Sequence, residues 1–353
     1  MISAAVPADA QVTPAQGYTP PDDTPVIRVG ATLFGDYTIT TQPKVTDADG
    51  NVVTGSAFNV GRAYINITGN ISHRIAFRIT PDISRETGTG SSLNGSLTYR
   101  LKYGYGQFNL DDWMTRGSWV RFGVQQTTWV DFMETLYRYR FQGTIFEDRE
   151  GFLSSSDFGV SFHYNFKTNY GDLHAGLYNG DTYTRPEAND QKAFMVRATV
   201  RPLPTGAPVW RGFRVTGYYD ADHYLKKGDR TRGIFGAHFE HPNVNTSFNY
   251  LWASDQSRLI NPKLDSDGFS FWVNPKTARG WEGLLRLDHL NRETSATVKG
   301  TTDRTLAGVS YWFPHQGTVS TVLLLDFERV KNKDYTPVRP NEQRWALHML
   351  VNF

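Results

Sequence analysis

RWALHMLVNF, Arg344–Phe353, closes the chain. Phe353, Val351, Met349, Leu347 and Trp345 recur at every second position, and Asn352, Leu350, His348, Ala346 and Arg344 fall between them. Period two puts alternate side chains on opposite faces of a strand, so one face here is wholly apolar and the other mostly polar. One such strand fits the edge of many sheets. The rest of the chain decides which sheet it joins.

The alternation continues from Val26 onward. Ile27, Val29, Ala31, Leu33, Tyr37 and Ile39 take one face against Arg28, Thr32, Asp36 and Thr38. Ala63, Ile65 and Ile67 oppose Arg62, Tyr64 and Asn66; Ile75, Phe77 and Ile79 oppose Arg74, Arg78 and Thr80. In SLTYRLKYGY, Leu97, Tyr99, Leu101, Tyr103 and Tyr105 are set against Thr98, Arg100 and Lys102. The same pattern runs through WVRFGVQQ, DFGVSFHYNF, DLHAGLY, AFMVRATV, FRVTGYYDAD and the later segments to the last strand. Each segment is close to the ~9–11 residues that cross a bilayer at a tilt, and no helical period competes.

Composition agrees. The 353 residues hold 37 basic and 35 acidic side chains, so net charge points to no nucleic-acid partner. Aromatic content is 14% although mean hydropathy is −0.48. A polar chain rich in aromatics suits a barrel with lipid outside and water inside. There are no cysteines, a usage compatible with an oxidising periplasm. The longest apolar run, VLLL at Val322–Leu325, is far short of the roughly 18 residues of a membrane helix. No basic and apolar leader stands at the start. Residues 1–25, rich in Pro, Ala, Thr and Asp, are expected to form a flexible extension.

The connections add a second pattern. Long polar segments such as TQPKVTDADGNVVTGSA, SRETGTGSSLNG, TYTRPEAND and NRETSATVKG alternate with mostly short links such as GNIS, FKTNYG, HPNV, PKTARG and PHQG. Tryptophans 119, 129, 210, 281 and 312 stand at strand ends. The expectation is an all-β, transmembrane antiparallel barrel of about 16 strands over residues 26–353, closed because an open edge in lipid leaves backbone groups unsatisfied. Both termini then lie on the short-link, periplasmic side of a bacterial outer membrane.

One connection is not loop-like. Between residues 130 and 155 it carries Phe132, Met133, Leu136, Tyr137, Tyr139, Phe141, Ile145, Phe146 and Phe152. So many large apolar groups must pack somewhere, and the lumen is the available place. The segment RFGVQQTTWVDF…RYRFQGTIFEDREGF…SSDFGVSF…GDLHAGLYNGD resembles the bacterial outer-membrane porin superfamily, particularly its phosphate-selective porin O/P-like group. The likeness is closest over residues 58–181. It implies a sixteen-stranded, homotrimeric diffusion channel for small ions and solutes, constricted by the infolded third loop. It also implies that Phe353 is read by the barrel-assembly machinery. The arginine ladder and lysine cluster that mark phosphate selectivity in that group have no residue-by-residue match, so a broad or weakly anion-preferring pore is expected.

Alternation turns Arg28, Arg62, Arg74, Arg78, Arg100, Lys102 and Arg121 inward as a basic wall. The loop sets Asp131, Glu134, Glu147, Asp148 and Glu150 against Arg138, Arg140 and Arg149. A basic wall facing an acidic loop would set a field across the constriction. The plainer alternative pairs these arginines with Asp36, Asp157, Asp172 or Glu282 as lumen braces. Other readings are weaker. Asp220, Asp222 and His223 form the best catalytic candidate but fit ordinary loop chemistry. Thr46–Asn51 has a calcium-loop flavour, but its glycine stands at the wrong offset. No histidine spacing suits a metal and no cofactor is implied; the first alternative is a barrel plugged by its loop and residues 1–25 in a structural or partner-binding role, and the second, ranked lower, is a barrel enzyme.

Overall fold

The computed structural model describes residues 21–187, 189–315 and 319–353. Its strands are β1 (Val26–Thr46), β2 (Val52–Asn70), β3 (Ile75–Arg85), β4 (Leu97–Asn109) and β5 (Trp119–Gln126). After the infolded loop come β6 (Ser156–Asn165), β7 (Gly171–Tyr178), β8 (Ala193–Val200), β9 (Phe213–Leu225) and β10 (Gly228–His241). The remainder are β11 (Val244–Asp255), β12 (Leu264–Pro275), β13 (Trp281–Ser295), β14 (Val298–Trp312), β15 (Ser320–Lys333) and β16 (Glu342–Asn352). Every strand pairs antiparallel with its sequence neighbours, and β1 pairs with β16, so the sheet closes. At the seam Thr32 faces Asn352 and Thr40 faces Arg344. Ala31 and Phe353 exchange backbone hydrogen bonds of 3.0 and 3.1 Å. Closure leaves no strand edge without a partner, which hydrocarbon requires.

The opening alternation reads directly in the closing strand: Trp345 and Leu347 are exposed on the outside, whereas Ala346, His348 and Leu350 are buried inside. Phe122, Leu177, Phe194, Phe235, Trp252, Leu285 and Leu325 carry the same apolar outer face round the barrel. Such a surface is tolerable only against lipid or another apolar face.

Three expectations change. In β4 the pairing slips: Thr80 faces Tyr103 while Pro81 faces Leu101. Lys102 is therefore the extra residue of a bulge, and beyond a bulge parity inverts. Tyr103 and Tyr105 consequently join Lys102 and Arg100 on the lumen side instead of facing lipid. The five tryptophans placed at strand ends also do not share one outward face. Trp210 and Trp281 are exposed, but Trp129 is fully buried, Trp119 stacks on His163 at 5.1 Å, and Trp312 packs on Tyr139. Finally, several long polar segments are strand rather than loop. Strands β1 and β2 run to within five residues of each other (47–51), and β13 and β14 are separated only by Ala296–Thr297. An antiparallel hairpin satisfies its own backbone groups, so pairing continues past the apolar belt into water.

Of the expected N-terminal extension, residues 1–20 lie outside the described residues. Asp23 accepts from the backbone N–H of His73 and contacts its ring nitrogen at 2.6 Å.

Candidate functional site

The loop between β5 and β6, residues 127–155, turns into the barrel rather than out of it. Gly123, with φ of 127°, lets β5 press on β4: a Cβ there would stand 2.3 Å from the Gly104 carbonyl oxygen. Gln125 then ties β5 to β6 from inside, donating to the Gly159 carbonyl at 2.9 Å and accepting from the Ser161 hydroxyl at 2.5 Å. The Tyr178 hydroxyl donates to the carbonyl of Gln126 at 3.3 Å. These contacts give a physical role to the Gly-x-Gln-Gln element, which fixes where the chain leaves the wall.

Beyond it the loop forms α1 (Thr128–Leu136) and, after an irregular stretch, α2 (Phe146–Arg149). Trp129, Met133, Leu136, Tyr137, Tyr139 and Phe146 are all essentially inaccessible. They meet inward apolar residues of the wall, including Tyr218, Ile234, Leu251, Trp272, Leu306 and Leu324. Each large apolar side chain buried this way contributes about 1.5–3 kcal/mol, which holds the loop against the tendency of backbone to stay hydrated.

Polar contacts fix its position. Glu328 on β15, almost wholly buried, pairs with Arg149 of the loop at 2.8 Å and also with Arg304 and Arg344 of the wall. Glu150 pairs with Arg304 at 2.9 Å, Arg138 with Glu282 at 3.1 Å, and Arg286 donates to the Thr144 carbonyl at 2.8 Å. The Tyr139 hydroxyl lies 3.0 Å from Glu282 and 2.9 Å from Ser310. Arg197 and Arg232 donate to the carbonyls of Thr128 and Phe152. The loop's hydrogen bonds and ion pairs across the lumen thus go to strands between β8 and β15. The β1–β5 side is left facing the loop's other surface.

This arrangement revises the acidic loop read from sequence. Arg138, Arg149 and Glu150 are braced on the wall. Glu147 is fully buried, and burial pushes its carboxyl up to about 7. Asp131, Glu134 and Asp148 remain toward the basic side, with Arg140 held to Glu134 at 2.6 Å. Burial also raises the Asp148 carboxyl, while the Arg140 charge opposes that rise.

On the basic side, Arg62, Arg78, Arg100, Lys102 and Arg121 share one lumen wall, and Arg28 stands at its end beside Arg78. Arg74 departs from the expectation. It sits in the turn before β3, pairs with Asp112 at 2.7 Å, and lies 5.1 Å from the Trp113 ring centroid. The turn takes it off the wall to the rim. None of the four carboxylates expected as braces pairs with the wall arginines. Asp36 binds Thr38 and Asn59, Asp157 takes backbone N–H groups, Asp172 pairs with Arg197, and Glu282 pairs with Arg138. The brace is Asp82, fully buried on β3, 3.5 Å from Arg62 and 3.9 Å from Arg100. Alternation from Arg78 and Thr80 turns Asp82 inward, so that signal was present. Glu328 was likewise marked by its parity with Leu324 and Asp326. Tyr103 and Tyr105 were hidden by the bulge.

The other candidates dissolve. Asp220 and Asp222 point into the barrel, where Asp222 pairs with Arg230 at 3.0 Å, while the His223 ring faces the Gly228 carbonyl at 3.2 Å. Adjacent positions on a strand point apart, so these three do not converge. Asp47 accepts from the N–H groups of Asp49 and Asn51, an ordinary Asx turn. Among the described residues no group of three or more histidine or acidic side chains suits a metal ion.

A closed sixteen-stranded barrel with an apolar outer face, a charged interior and its third loop folded inside has the fold of the bacterial outer-membrane porins. Solved structures similar to this chain bear that out. An outer membrane protein of Vibrio cholerae, OmpT with loop L8 deleted, superposes with a TM-score of 0.63 at 15% identity, over 94% of this chain and 100% of that one. The outer membrane channel DcaP of Acinetobacter baumannii gives 0.63 at 11% identity, over 93% and 97%. The anion-selective porin from Comamonas acidovorans gives 0.64 at 9% identity, over 94% and 100%. No family model and no curated protein matches the sequence. At such identities the likeness concerns the fold.

Proposed function

We propose that the protein is an outer-membrane porin, a channel for passive diffusion of small hydrophilic solutes with a weak preference for anions, and that it performs no chemistry. The observation that carries this reading is the asymmetry of the lumen. The loop is bonded to the β8–β15 side, and the arginines of the β1–β5 side keep partial exposure, with Arg62 at 25% and Arg100 at 31% of their side-chain surface. A partly hydrated row of guanidinium groups lowers the barrier to anions and raises it to cations. The apolar outer belt supports residence in a bacterial outer membrane with lipid as its neighbour, and we place both termini on the periplasmic side. A trimer form is described for Vibrio cholerae OmpT, and a homotrimer is our reading for this chain. Kinship with the phosphate-selective O/P-like group rests on the Gly-x-Gln-Gln strand end, the infolded loop and the YNGD hairpin. We assign Phe353, paired to Ala31 at the seam, as the mark read by the assembly machinery.

The test is single-channel recording in a planar bilayer under a KCl gradient. Stable steps with an anion-favouring reversal potential are expected. Folded protein that gives no steps would reject the channel and leave a barrel plugged by its loop.

A further inference from the structure

The basic wall is also an aromatic wall. The guanidinium of Arg100 lies 4.9 Å from the centroid of Tyr183, and Lys102 lies 5.0 Å from Tyr64 and 5.5 Å from Tyr103. Arg78 stands 4.5 Å over Tyr103, and Arg121 stands 4.7 Å over Tyr105 and 3.7 Å over Trp119. Cations and π-faces therefore alternate along one side of the lumen. Of these cations Arg100 also meets a carboxylate, that of Asp82 at 3.9 Å. Among the described residues, Arg28, Arg78, Lys102 and Arg121 have no carboxylate within ion-pair distance. Arg78 spends its donors on neutral partners, the Thr80 hydroxyl at 2.9 Å and the Asn66 carbonyl at 3.0 Å.

Next to this row is a cavity of about 180 Å³, lined by Arg28, Thr68, Asn70, Arg78, Tyr105 and Gln107 among others. Two guanidinium groups without an acidic partner, a phenol ring and three neutral hydrogen-bonding side chains meet there. Chloride or an aliphatic carboxylate would use only the charge. An anion with a planar ring would use both components, its carboxylate on the guanidinium groups and its ring against tyrosine and guanidinium faces, which stack readily.

We propose that this cavity and the partly exposed arginine–aromatic pairs above it, with Lys102 and Tyr103 buried behind them, bind planar aromatic monocarboxylates, so that the channel favours them over saturated carboxylates of equal charge and similar size. This inference rests on the porin reading. The test uses the whole folded protein in a planar bilayer, with KCl conductance recorded first, then zero-current potentials under gradients of sodium benzoate and of sodium cyclohexanecarboxylate. The two anions differ chiefly in the π-face. Benzoate is expected to be about threefold or more the more permeant, in line with an exposed cation–π contact. It should also depress the KCl current saturably where cyclohexanecarboxylate does not. Tyr105→Leu should bring the ratio toward one, and Arg28→Gln should weaken the saturable block; Phe122→Leu, on the lipid face, should do neither. Equal behaviour of the two acids in a channel that conducts KCl would overturn this inference and leave the porin standing, the cation–ring pairs then being braces of the wall. Absence of KCl conductance would overturn both.

Discussion

Arg149, on the loop inside the barrel, lies 2.8 Å from Glu328 on β15, and the same carboxylate also holds Arg304 and Arg344 of the wall. One buried acid thus joins loop and barrel, with Gln142 donating to it at 3.3 Å. Its neighbourhood is dense in charge, since Arg286 pairs with Asp288 at 2.8 Å and Glu150 with Arg304 at 2.9 Å.

Replacing Glu328 with Ala should leave three guanidinium groups without their shared partner. Breaking a buried pair from one side costs about 3–5 kcal/mol. The variant should lose its folded, heat-modifiable form on SDS gels at a lower temperature and show noisier open-channel current. An unchanged transition temperature and a quiet channel would mean that apolar packing alone holds the loop.

The wall arginines should act by charge. In water a unit charge at 4 Å is worth on the order of 1 kcal/mol, so Arg78, Arg100 and Arg121 replaced together with Ala should lower the chloride-to-potassium permeability ratio several-fold. Asp82→Asn should move the ratio the other way, because Asp82 sits against Arg62 and Arg100. Reversal potentials identical to the parent in both variants would remove the basic wall from the account.

Glu147 sets a pH dependence. Its carboxyl is pushed by burial from 4.5 up to about 7. A carboxyl raised on folding takes up its proton more readily in the native state, so its contribution is full below about 4.5 and is lost as pH rises through about 7. The native loop should be more stable at pH 5 than at pH 8, by roughly 3 kcal/mol at most. Glu147→Gln should flatten this difference. Hydrogen exchange of residues 127–155 at the two pH values checks it, and equal protection at both would exclude the effect.

Deleting Phe353 removes the backbone pair with Ala31 at the seam. Folded yield from assembly into membranes should fall well before single-channel conductance changes in the molecules that do fold. Normal insertion kinetics of the shortened chain would show that the terminal aromatic carries no such signal.

Much was legible in residue order because a strand writes its two faces at period two. RWALHMLVNF, the sets around Arg62 and Arg78, and the apolar loop after β5 each state locally which side meets lipid, water or core. From these came the barrel, the number of strands, the infolded loop and most of the inward charges. What sequence order did not contain was anything depending on pairing between distant segments. The bulge at Lys102 is defined against Pro81 across the sheet, and it alone turns Tyr103 and Tyr105 inward. The same holds for the partners of the charges: Glu328 meets Arg149 from 179 residues away, and Arg138, Arg149 and Glu150 face the wall because the loop lies on that side. Along an unbroken strand the side a residue takes is a one-dimensional property, whereas a bulge, and which charge a residue neutralises, are set only when the strands pair and the barrel closes.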